Sequence, residues 1–379
     1  MGIKFEFLQA GQGDCILISV DNYRLNILID GGQKNTYSEK SIFNLKDKIE
    51  KDIRDNKKKL DLVVMTHYDN DHIGGIINLL EDEEKNIKKG EDTIIKKLWF
   101  NTFDKAFIET LMIDPQTGAK AQIDFDTYLK KVLRNTFKKI DYKSRISIDD
   151  IKESIFIGEN KEIELILLSP NNEKLELLYK KDFEPYLDEK SISKNDYGFS
   201  VDNLIRTTDS AEDGSHRNGS SIAFILIYDE MKFLFLGDAH IGLIIKSLKN
   251  LNKKYFNKND LIEFEFIKLA HHGSSENINE NFLDLVSTDK YIISTSGTGK
   301  NNHPNKTTIS TIVTHKYRKK LDSNEYKEKI EFFCNYDYEE KVFNLNEQIE
   351  YKAYFKFLSR DVNTSIKSQF QEDLEYRLK

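Results

Sequence analysis

The stretch 62–80, LVVMTHYDNDHIGGIINLL, constrains this chain more than any other. Apolar residues open and close it, and its middle is polar and ends in two glycines. This order predicts a buried strand, a polar turn and then a helix. A run of polar residues directly after a buried strand predicts a functional site in that loop.

Four side chains of this turn can bind a metal ion: His67, Asp69, Asp71 and His72. Imidazole and carboxylate groups are the ligands that proteins offer to zinc and to harder divalent metals. The alternative is an ordinary polar turn in which Asp71 caps the following helix. Two ligands of each type within one turn favour the metal site.

Other apolar runs also end at residues that can bind metal or move protons. These residues are Asp30, Asp238, His271, His272 and His303. Side chains at the ends of neighbouring strands are held rigidly, which suits a functional site. The sequence therefore predicts a two-metal centre built from several strand ends.

The expected roles differ among these residues. Asp238 is expected to bridge two metal ions, the alternative being a helix N-cap. Adjacent residues of a strand point in opposite directions, so we expect one of His271 and His272 to bind metal. We favour His271, with His272 facing the substrate or a carboxylate. Asp30 is expected to orient a ligand histidine, and Asp14 is interpreted as structural.

Three further interpretations concern the chemistry of the site. His216 either completes the first metal site or is a surface-loop histidine. His303 either donates a proton or contacts a phosphate, or it holds a loop in place. The candidate catalytic residues are Asp71, His303 and His272. His240 and His315 are interpreted as ordinary helix residues.

Length and composition predict one large domain. The chain has 379 residues, of which 39% are hydrophobic and 32% charged. We expect a domain over 1–330 with insertions at about 104–160 and 171–216, followed by C-terminal strands and a tail over 331–379 packed on the same domain. The net charge of −7 argues against a general polyanion-binding surface, although a local basic patch is compatible with it.

Cysteine use and the N-terminus predict a cytoplasmic protein. Cys15 and Cys334 are expected to be buried reduced thiols. The first residues alternate like a strand rather than forming a signal peptide, and no apolar run is long enough to cross a bilayer. No membrane partner is expected, and the sequence leaves protein partners and oligomeric state open.

The turn resembles the metallo-β-lactamase-fold superfamily, whose His-x-His-x-Asp-His signature appears here with Asp69 in place of the second histidine. Other segments make the pattern similar to ComEC-type hydrolase domains and their stand-alone relatives. They are Gly11-Gln12-Gly13-Asp14, Asp30-Gly31-Gly32, Asn218, Gly237-Asp238, His271-His272-Gly273-Ser274 and His303-Pro304. The similarity covers residues 1–100 and 220–315.

The resemblance implies a four-layer αββα sandwich with two divalent metal ions at one edge. The ligands that it implies are His67, Asp69, Asp71, His72, Asp238 and His271. The usual third histidine of the first metal site is replaced in ComEC-like sequences by an asparagine, here Asn218, with His216 close by. An aspartate in place of a histidine makes the site harder and more anionic, so Mn²⁺ is expected to compete with Zn²⁺.

The expected activity is hydrolysis of a phosphodiester by a water that two metal ions activate, with DNA, RNA or a smaller phosphodiester as substrate. Candidate contacts to a nucleic acid are Lys268, Lys300, Lys306 and Arg217. One alternative is a hydrolase of the same fold that acts on a carboxylic ester, lactone or thioester. Another is a non-catalytic binding or regulatory subunit of a larger assembly.

Overall fold

The computed structural model describes residues 2–41, 43–101, 134–181, 195–205, 212–255, 261–298, 302–315, 330–336, 342 and 355–359. The chain forms two compact units. The first unit comprises 1–153, 170–191 and 215–222, and the second comprises 154–169, 192–214 and 223–379. Of the predicted insertions, residues 104–133, 182–194 and 206–211 lie outside the described ranges.

The first unit is built on a six-stranded sheet in which the strands follow their order in the chain. The strands are β1 (Ile3–Phe7), β2 (Ile16–Val20), β3 (Leu25–Ile29), β4 (Leu62–Val64), β5 (Lys97–Trp99) and β6 (Asp141–Lys143). β1 to β3 pair antiparallel, and β3 to β6 pair parallel. The carboxyl ends of β3 and β4 therefore lie at the same edge, and there Asp30 and the polar turn that begins at Thr66 follow them.

The second unit is built on an eight-stranded sheet with the order β16-β15-β14-β12-β10-β9-β8-β7. Its strands are β7 (Ile155–Ile157), β8 (Ile163–Ser169), β9 (Ala223–Tyr228), β10 (Met231–Phe235), β12 (Phe266–Lys268), β14 (Lys290–Ile293), β15 (Ile330–Cys334) and β16 (Phe355–Ser359). β11 (Ile262–Glu263) and β13 (Val286–Ser287) form a separate parallel pair. β10, β12 and β14 are parallel neighbours, so the residues after them meet at one edge of the sheet.

Helices connect the strands of both units. They are α1 (Leu45–Lys48), which continues as a wider helix over Ile49–Arg54, α2 (Asn70–Lys88), α3 (Arg134–Phe137), α4 (Asn172–Lys181), α5 (Val201–Ile205), α6 (His216–Gly219), α7 (Ile241–Tyr255), α8 (Glu280–Leu283) and α9 (Lys306–Thr314). Short 3-10 turns cover Lys34–Thr36, Ala270–Gly273 and Ser275–Asn277. Within the described ranges, no helix combines the length and apolar character that crossing a membrane requires.

Each unit has its own apolar core. In the first unit, Ile76, Leu79 and Leu80 of α2 are fully buried in a cluster that includes Val63 of β4 and Leu98 of β5. Their spacing of three and four residues puts them on one face of the helix. Burying each such side chain contributes about 1.5–3 kcal/mol, which holds the helix start against the sheet.

In the second unit, α7 packs in the same way. Ile244 and Leu248 are buried in a cluster with Leu234 of β10 and Ile267 of β12. The prediction of an α/β fold is confirmed, because each unit joins a sheet to helices. Cys15 and Cys334 are buried thiols, as predicted, and burial raises the pKa of Cys15.

Glycines bring the start of α2 very close to the loop after β3. A Cβ on Gly75 would stand 2.0 Å from the carbonyl oxygen of Gly31, and a Cβ on Gly31 would stand 2.3 Å from the nitrogen of Ile76. The backbone bond from Gly31 N to the oxygen of His72, at 2.7 Å, depends on this approach. The glycine pairs of the sequence are therefore required by backbone contact.

Gly75→Ala tests this contact. Alanine in a helix normally stabilises relative to glycine, by roughly 0.5–1 kcal/mol. Here the added methyl meets a backbone oxygen, so we expect the free energy of unfolding to fall by about 1–3 kcal/mol. Urea denaturation measures the difference.

Gly198→Ala is the matched control, because nothing lies within 4 Å of its added Cβ. A Gly75→Ala protein as stable as wild type would contradict the close approach of α2 to the β3 loop.

Candidate metal centre

The carboxylate of Asp30 organises the site residues of the first unit. Asp30 is fully buried, with its backbone in the left-handed region at φ 54°. Its Oδ1 accepts from the nitrogen of Thr66 at 2.8 Å, and its Oδ2 accepts from the hydroxyl of Thr66 at 2.7 Å and from Nδ1 of His72 at 2.8 Å. Because Nδ1 of His72 then carries the hydrogen, Nε2 presents its lone pair. This confirms that Asp30 orients a histidine.

His67 is held in the same tautomer. Its Nδ1 lies 3.1 Å from the hydroxyl of Thr66 and 3.0 Å from that of Ser221. Thr66 gives its own hydrogen to Asp30, so its oxygen can accept from His67. Nε2 of His67 is left as a ligand atom and lies 3.7 Å from Oδ2 of Asp69. The rings of His67 and His72 are 4.2 Å apart.

Asp69 stands at the N-cap position of α2, but its side chain makes no capping bond. Its carboxylate lies near His67 and 3.6 Å from Nη1 of Arg217. Burial raises the pKa of Asp69, but the neighbouring His67 in its protonated form and the charge of Arg217 outweigh burial and the repulsion of Asp71, so the pKa is lowered. The side chain is thus kept as an anion facing an imidazole, which suits a metal ligand better than a cap.

Asp71 lies in the first turn of α2, one position past the start of the helix. A Cβ on Gly13 would stand 1.6 Å from the carbonyl oxygen of Asp71, so the first hairpin touches the metal-binding turn. Asp14, next to Gly13, is buried and has a carboxylate oxygen within 4.8 Å of a ring nitrogen of His72. Asp14, which is interpreted from the sequence as structural, is therefore also a candidate metal ligand, and its place directly before an apolar strand is the sequence signal for it.

His216 and Asn218 belong to α6, which Ser215 caps by accepting from the nitrogen of Asn218 at 3.3 Å. Asn218 is buried, whereas His216 is partly exposed. The described structure assigns the third position of the first metal site to neither residue, and both interpretations stay open.

Asp238 follows β10 and is buried. α7 begins only at Ile241, so Asp238 precedes the N-cap position by two residues, and the capping alternative does not hold. The nearby imidazoles are those of the histidine pair after β12, and Nε2 of His272 lies 3.6 Å from Oδ2 of Asp238. Nε2 of His271 lies 3.9 Å from the same oxygen.

The alternation of strand side chains does not apply to this histidine pair. β12 ends at Lys268, and His271 and His272 have φ values of 45° and 56°. The left-handed backbone turns both rings toward Asp238, which the strand rule did not predict. Nδ1 of His272 donates to the carbonyl of Ser294 at 2.8 Å, so its Nε2 presents a lone pair. The choice of His271 over His272 as ligand stays a prediction.

Nδ1 of His271 faces Oδ1 of Asn277 at 3.1 Å and Oδ2 of Asp213 at 3.3 Å. Burial lowers the pKa of His271, but the charges of Asp238 and Asp213 outweigh it and raise the pKa to about 9. Asp213 also lies 3.9 Å from Nε2 of His240. Neither Asp213 nor Asn277 was predicted, because their contacts with His271 arise only in the folded chain.

His303 lies beside these histidines in the second unit. Its ring is 4.8 Å from that of His271 and 6.4 Å from that of His272. His315, at the end of α9, instead pairs with Asp284 at 2.9 Å, which fits its interpretation as an ordinary helix residue. Of His303 and His315, His303 is therefore the one beside the candidate metal ligands, where it could transfer a proton.

The basic residues predicted to contact a nucleic acid differ in how exposed they are. Lys268 and Lys306 are buried, and Nζ of Lys306 donates to the carbonyl of Phe199 at 2.7 Å. Such lysines serve the fold rather than a substrate. Arg217 keeps 21% of its side chain exposed, and Lys300 lies outside the described residues.

The donor set fits divalent metals. His67 and His72 in the first unit, and His271 and His272 in the second, all have Nδ1 beside an acceptor. Nε2 lies 3.7 Å from a carboxylate oxygen in His67, 3.9 Å in His271 and 3.6 Å in His272. Metal-binding histidines are held in this way by their second nitrogen. Imidazole with carboxylate suits zinc and manganese.

Comparison with known sequences finds a family profile and a relative that are similar to this chain. A profile of the metallo-beta-lactamase superfamily matches residues 8–100. ComE operon protein 3 of Bacillus subtilis (strain 168) is 21% identical over 323 residues, which make up 83% of this chain and 31% of that protein. The chain thus spans less than a third of that relative's length. These matches support a metallo-β-lactamase-fold protein that resembles the ComEC type.

Solved structures that match this chain share little sequence with it. YhfI, a metallo-beta-lactamase fold protein from Bacillus subtilis, has a TM-score of 0.39 and 10% identity, over 90% of this chain and 94% of that one. Zn(2+)-bound PqqB from Methylobacterium extorquens has a TM-score of 0.37 and 9% identity, over 94% and 97% of the two chains. The short form of human tRNase Z has a TM-score of 0.31 and 12% identity, over 71% and 77%.

Asp30→Asn tests how His72 is held. An amide offers one acceptor oxygen, whereas the carboxylate serves three donors from Thr66 and His72. An amide NH₂ facing Nδ1 would move the imidazole hydrogen to Nε2 and block the ligand atom. We expect affinity for Zn²⁺ or Mn²⁺ to fall roughly 10–100-fold, measured by competition with a chromophoric chelator.

Asp92→Asn is the control, since this side chain is 88% exposed in the same unit. Unchanged metal affinity in Asp30→Asn would show that Asp30 does not set the orientation of His72.

Proposed function

We propose that this metallo-β-lactamase-fold chain is a metal-dependent hydrolase whose substrate is a phosphodiester, either DNA or RNA or a smaller molecule. The observation that carries the proposal is the set of histidines whose Nδ1 atoms face hydrogen-bond acceptors, which leaves Nε2 atoms for metal. A stable fold alone does not require four imidazoles held in one tautomer beside carboxylates. A metal-loaded hydrolytic site does.

The proposed metal ligands are the set that the sequence predicted: His67, Asp69, Asp71, His72, Asp238 and His271. Two divalent ions, Zn²⁺ or Mn²⁺, would supply Lewis acidity, which lowers the pKa of a water and offsets negative charge on the reacting group. His272 is kept as an alternative ligand because its Nε2 approaches Asp238 slightly more closely than that of His271 does.

Asp69 supports a phosphodiester over a carboxylic ester. Its carboxylate replaces an imidazole of the superfamily signature, which makes the ligand set harder and more compatible with Mn²⁺. The guanidinium of Arg217, 3.6 Å from Asp69 and partly exposed, is the kind of group that binds phosphate oxygens. The ComEC-type resemblance also favours a nucleic acid.

The candidate catalytic residues are Asp71, which is also a proposed metal ligand, His272 and His303. Hydrolysis breaks the bond between phosphorus and the leaving oxygen, and that oxygen must gain a proton unless it leaves as a stable anion. His303 is proposed as the donor, because it lies beside the histidine pair without belonging to the proposed ligand set.

A substrate panel tests the activity. Purified protein with Mn²⁺ or Zn²⁺ is incubated with single-stranded DNA, double-stranded DNA, RNA and bis-p-nitrophenyl phosphate. We expect cleavage of at least one, and a loss of roughly 10²–10³-fold in Asp71→Asn, because the stabilisation of charge is weakened. Asp92→Asn should cleave like wild type.

Two other outcomes would reassign the protein. Hydrolysis of a lactone or thioester, without cleavage of any phosphodiester, would favour the carboxylic-ester class. Absence of bound metal and of all hydrolysis would favour a binding or regulatory subunit.

Two substrates with different leaving groups test whether His303 donates a proton. p-Nitrophenolate leaves without a proton, whereas the sugar alkoxide of a nucleic acid needs one. We expect His303→Gln to slow cleavage of the nucleic acid by about 10²–10⁴-fold and to leave bis-p-nitrophenyl phosphate hydrolysis nearly unchanged. Equal losses on both substrates would rule out His303 as the proton donor.

A further inference from the structure

We infer that Asp213 and Asn277 are positioning residues that hold His271 as a metal ligand, an inference that rests on the ligand role proposed above for His271. We call these two side chains the His271 brace. Both are buried within the second unit, and neither carries a sequence signal for a metal site.

Asn277 can take only one orientation of its amide. Its Nδ2 lies 3.1 Å from Oδ2 of Asp213 and 3.4 Å and 3.2 Å from the carbonyl oxygens of Asp238 and Ala239. All three are acceptors, so the NH₂ group must face them. The amide oxygen is therefore turned toward Nδ1 of His271, at 3.1 Å.

Asp213 adds a second acceptor at the same ring nitrogen. Its Oδ2 lies 3.3 Å from Nδ1 of His271, and the exposed fraction of its side chain is 4%. A buried carboxylate is costly unless polar groups compensate it, and here the amide of Asn277 and the imidazoles of His271 and His240 surround it. The acceptors of the brace keep the hydrogen of His271 on Nδ1.

The brace also ties two strand ends together. Asn277 bonds the backbone just after β10, at Asp238 and Ala239, while it holds the ring that follows β12. The amide of Asn277 thus helps to set the separation of 3.9 Å between Nε2 of His271 and Oδ2 of Asp238, together with the backbone bond from the nitrogen of His271 to the oxygen of Gly237. Loss of the brace should free the ring to rotate or to change tautomer, which weakens metal binding before any substrate is present.

The test measures binding of Co²⁺ and Zn²⁺ to the full chain by chelator competition, together with the visible absorption spectrum of the Co²⁺ form. We expect Asp213→Ala and Asn277→Ala each to lower affinity roughly 10–100-fold and to alter the Co²⁺ spectrum. Asp213→Asn keeps an acceptor oxygen and should recover part of the affinity. Glu212→Gln, an exposed carboxylate one residue earlier, is the control and should bind like wild type.

The outcomes separate the brace from the proposed function. Wild-type affinity and spectrum in both alanine variants would overturn the brace, whatever the activity. A second outcome is that the wild-type protein binds Co²⁺ but cleaves no phosphodiester, while the alanine variants bind Co²⁺ more weakly. This outcome would support the brace and contradict the proposed function. If the alanine variants fail to fold, Asn277→Ser carries the test, because its hydroxyl is too short to reach Nδ1 of His271. An affinity and spectrum identical to wild type in that variant would overturn the inference.

Discussion

The candidate ligand residues of each unit depend on one kind of interaction, a hydrogen bond from Nδ1 of a histidine to a buried acceptor. In the first unit the carboxylate of Asp30 supplies it for His72 and, through the hydroxyl of Thr66, indirectly for His67. In the second unit the acceptors are the carbonyl of Ser294 for His272 and the His271 brace for His271. A fixed tautomer turns each imidazole into a ligand with one available nitrogen.

Backbone geometry makes these bonds possible. Parallel pairing brings the ends of β3 and β4 to one edge of the first sheet, and the ends of β10, β12 and β14 to one edge of the second. Glycines then let the chain approach itself at distances that a side chain would forbid, as between Gly31 and Gly75. The apolar faces of α2 and α7 anchor the segments that start next to these edges.

Much of this could be predicted from the sequence, because strand ends and the metal-binding turn are local patterns. The α/β class follows from apolar runs separated by glycine turns, and the role of Asp30 from its place after a buried strand. The directions of the His271 and His272 side chains could not be predicted from the alternation of side chains along a strand, because both residues lie after the end of β12 and have a left-handed backbone. Asp14, Asp213 and Asn277 act through contacts that only the folded chain creates.

The proposed chemistry requires that histidine Nε2 atoms of this chain bind a divalent metal. X-ray absorption spectroscopy of the zinc-loaded protein tests this most directly, because imidazole ligands leave a characteristic multiple-scattering pattern. We expect zinc–nitrogen distances of about 2.0–2.1 Å with an imidazole pattern that weakens in His72→Ala. A spectrum without imidazole scattering, or one that His72→Ala leaves unchanged, would contradict it.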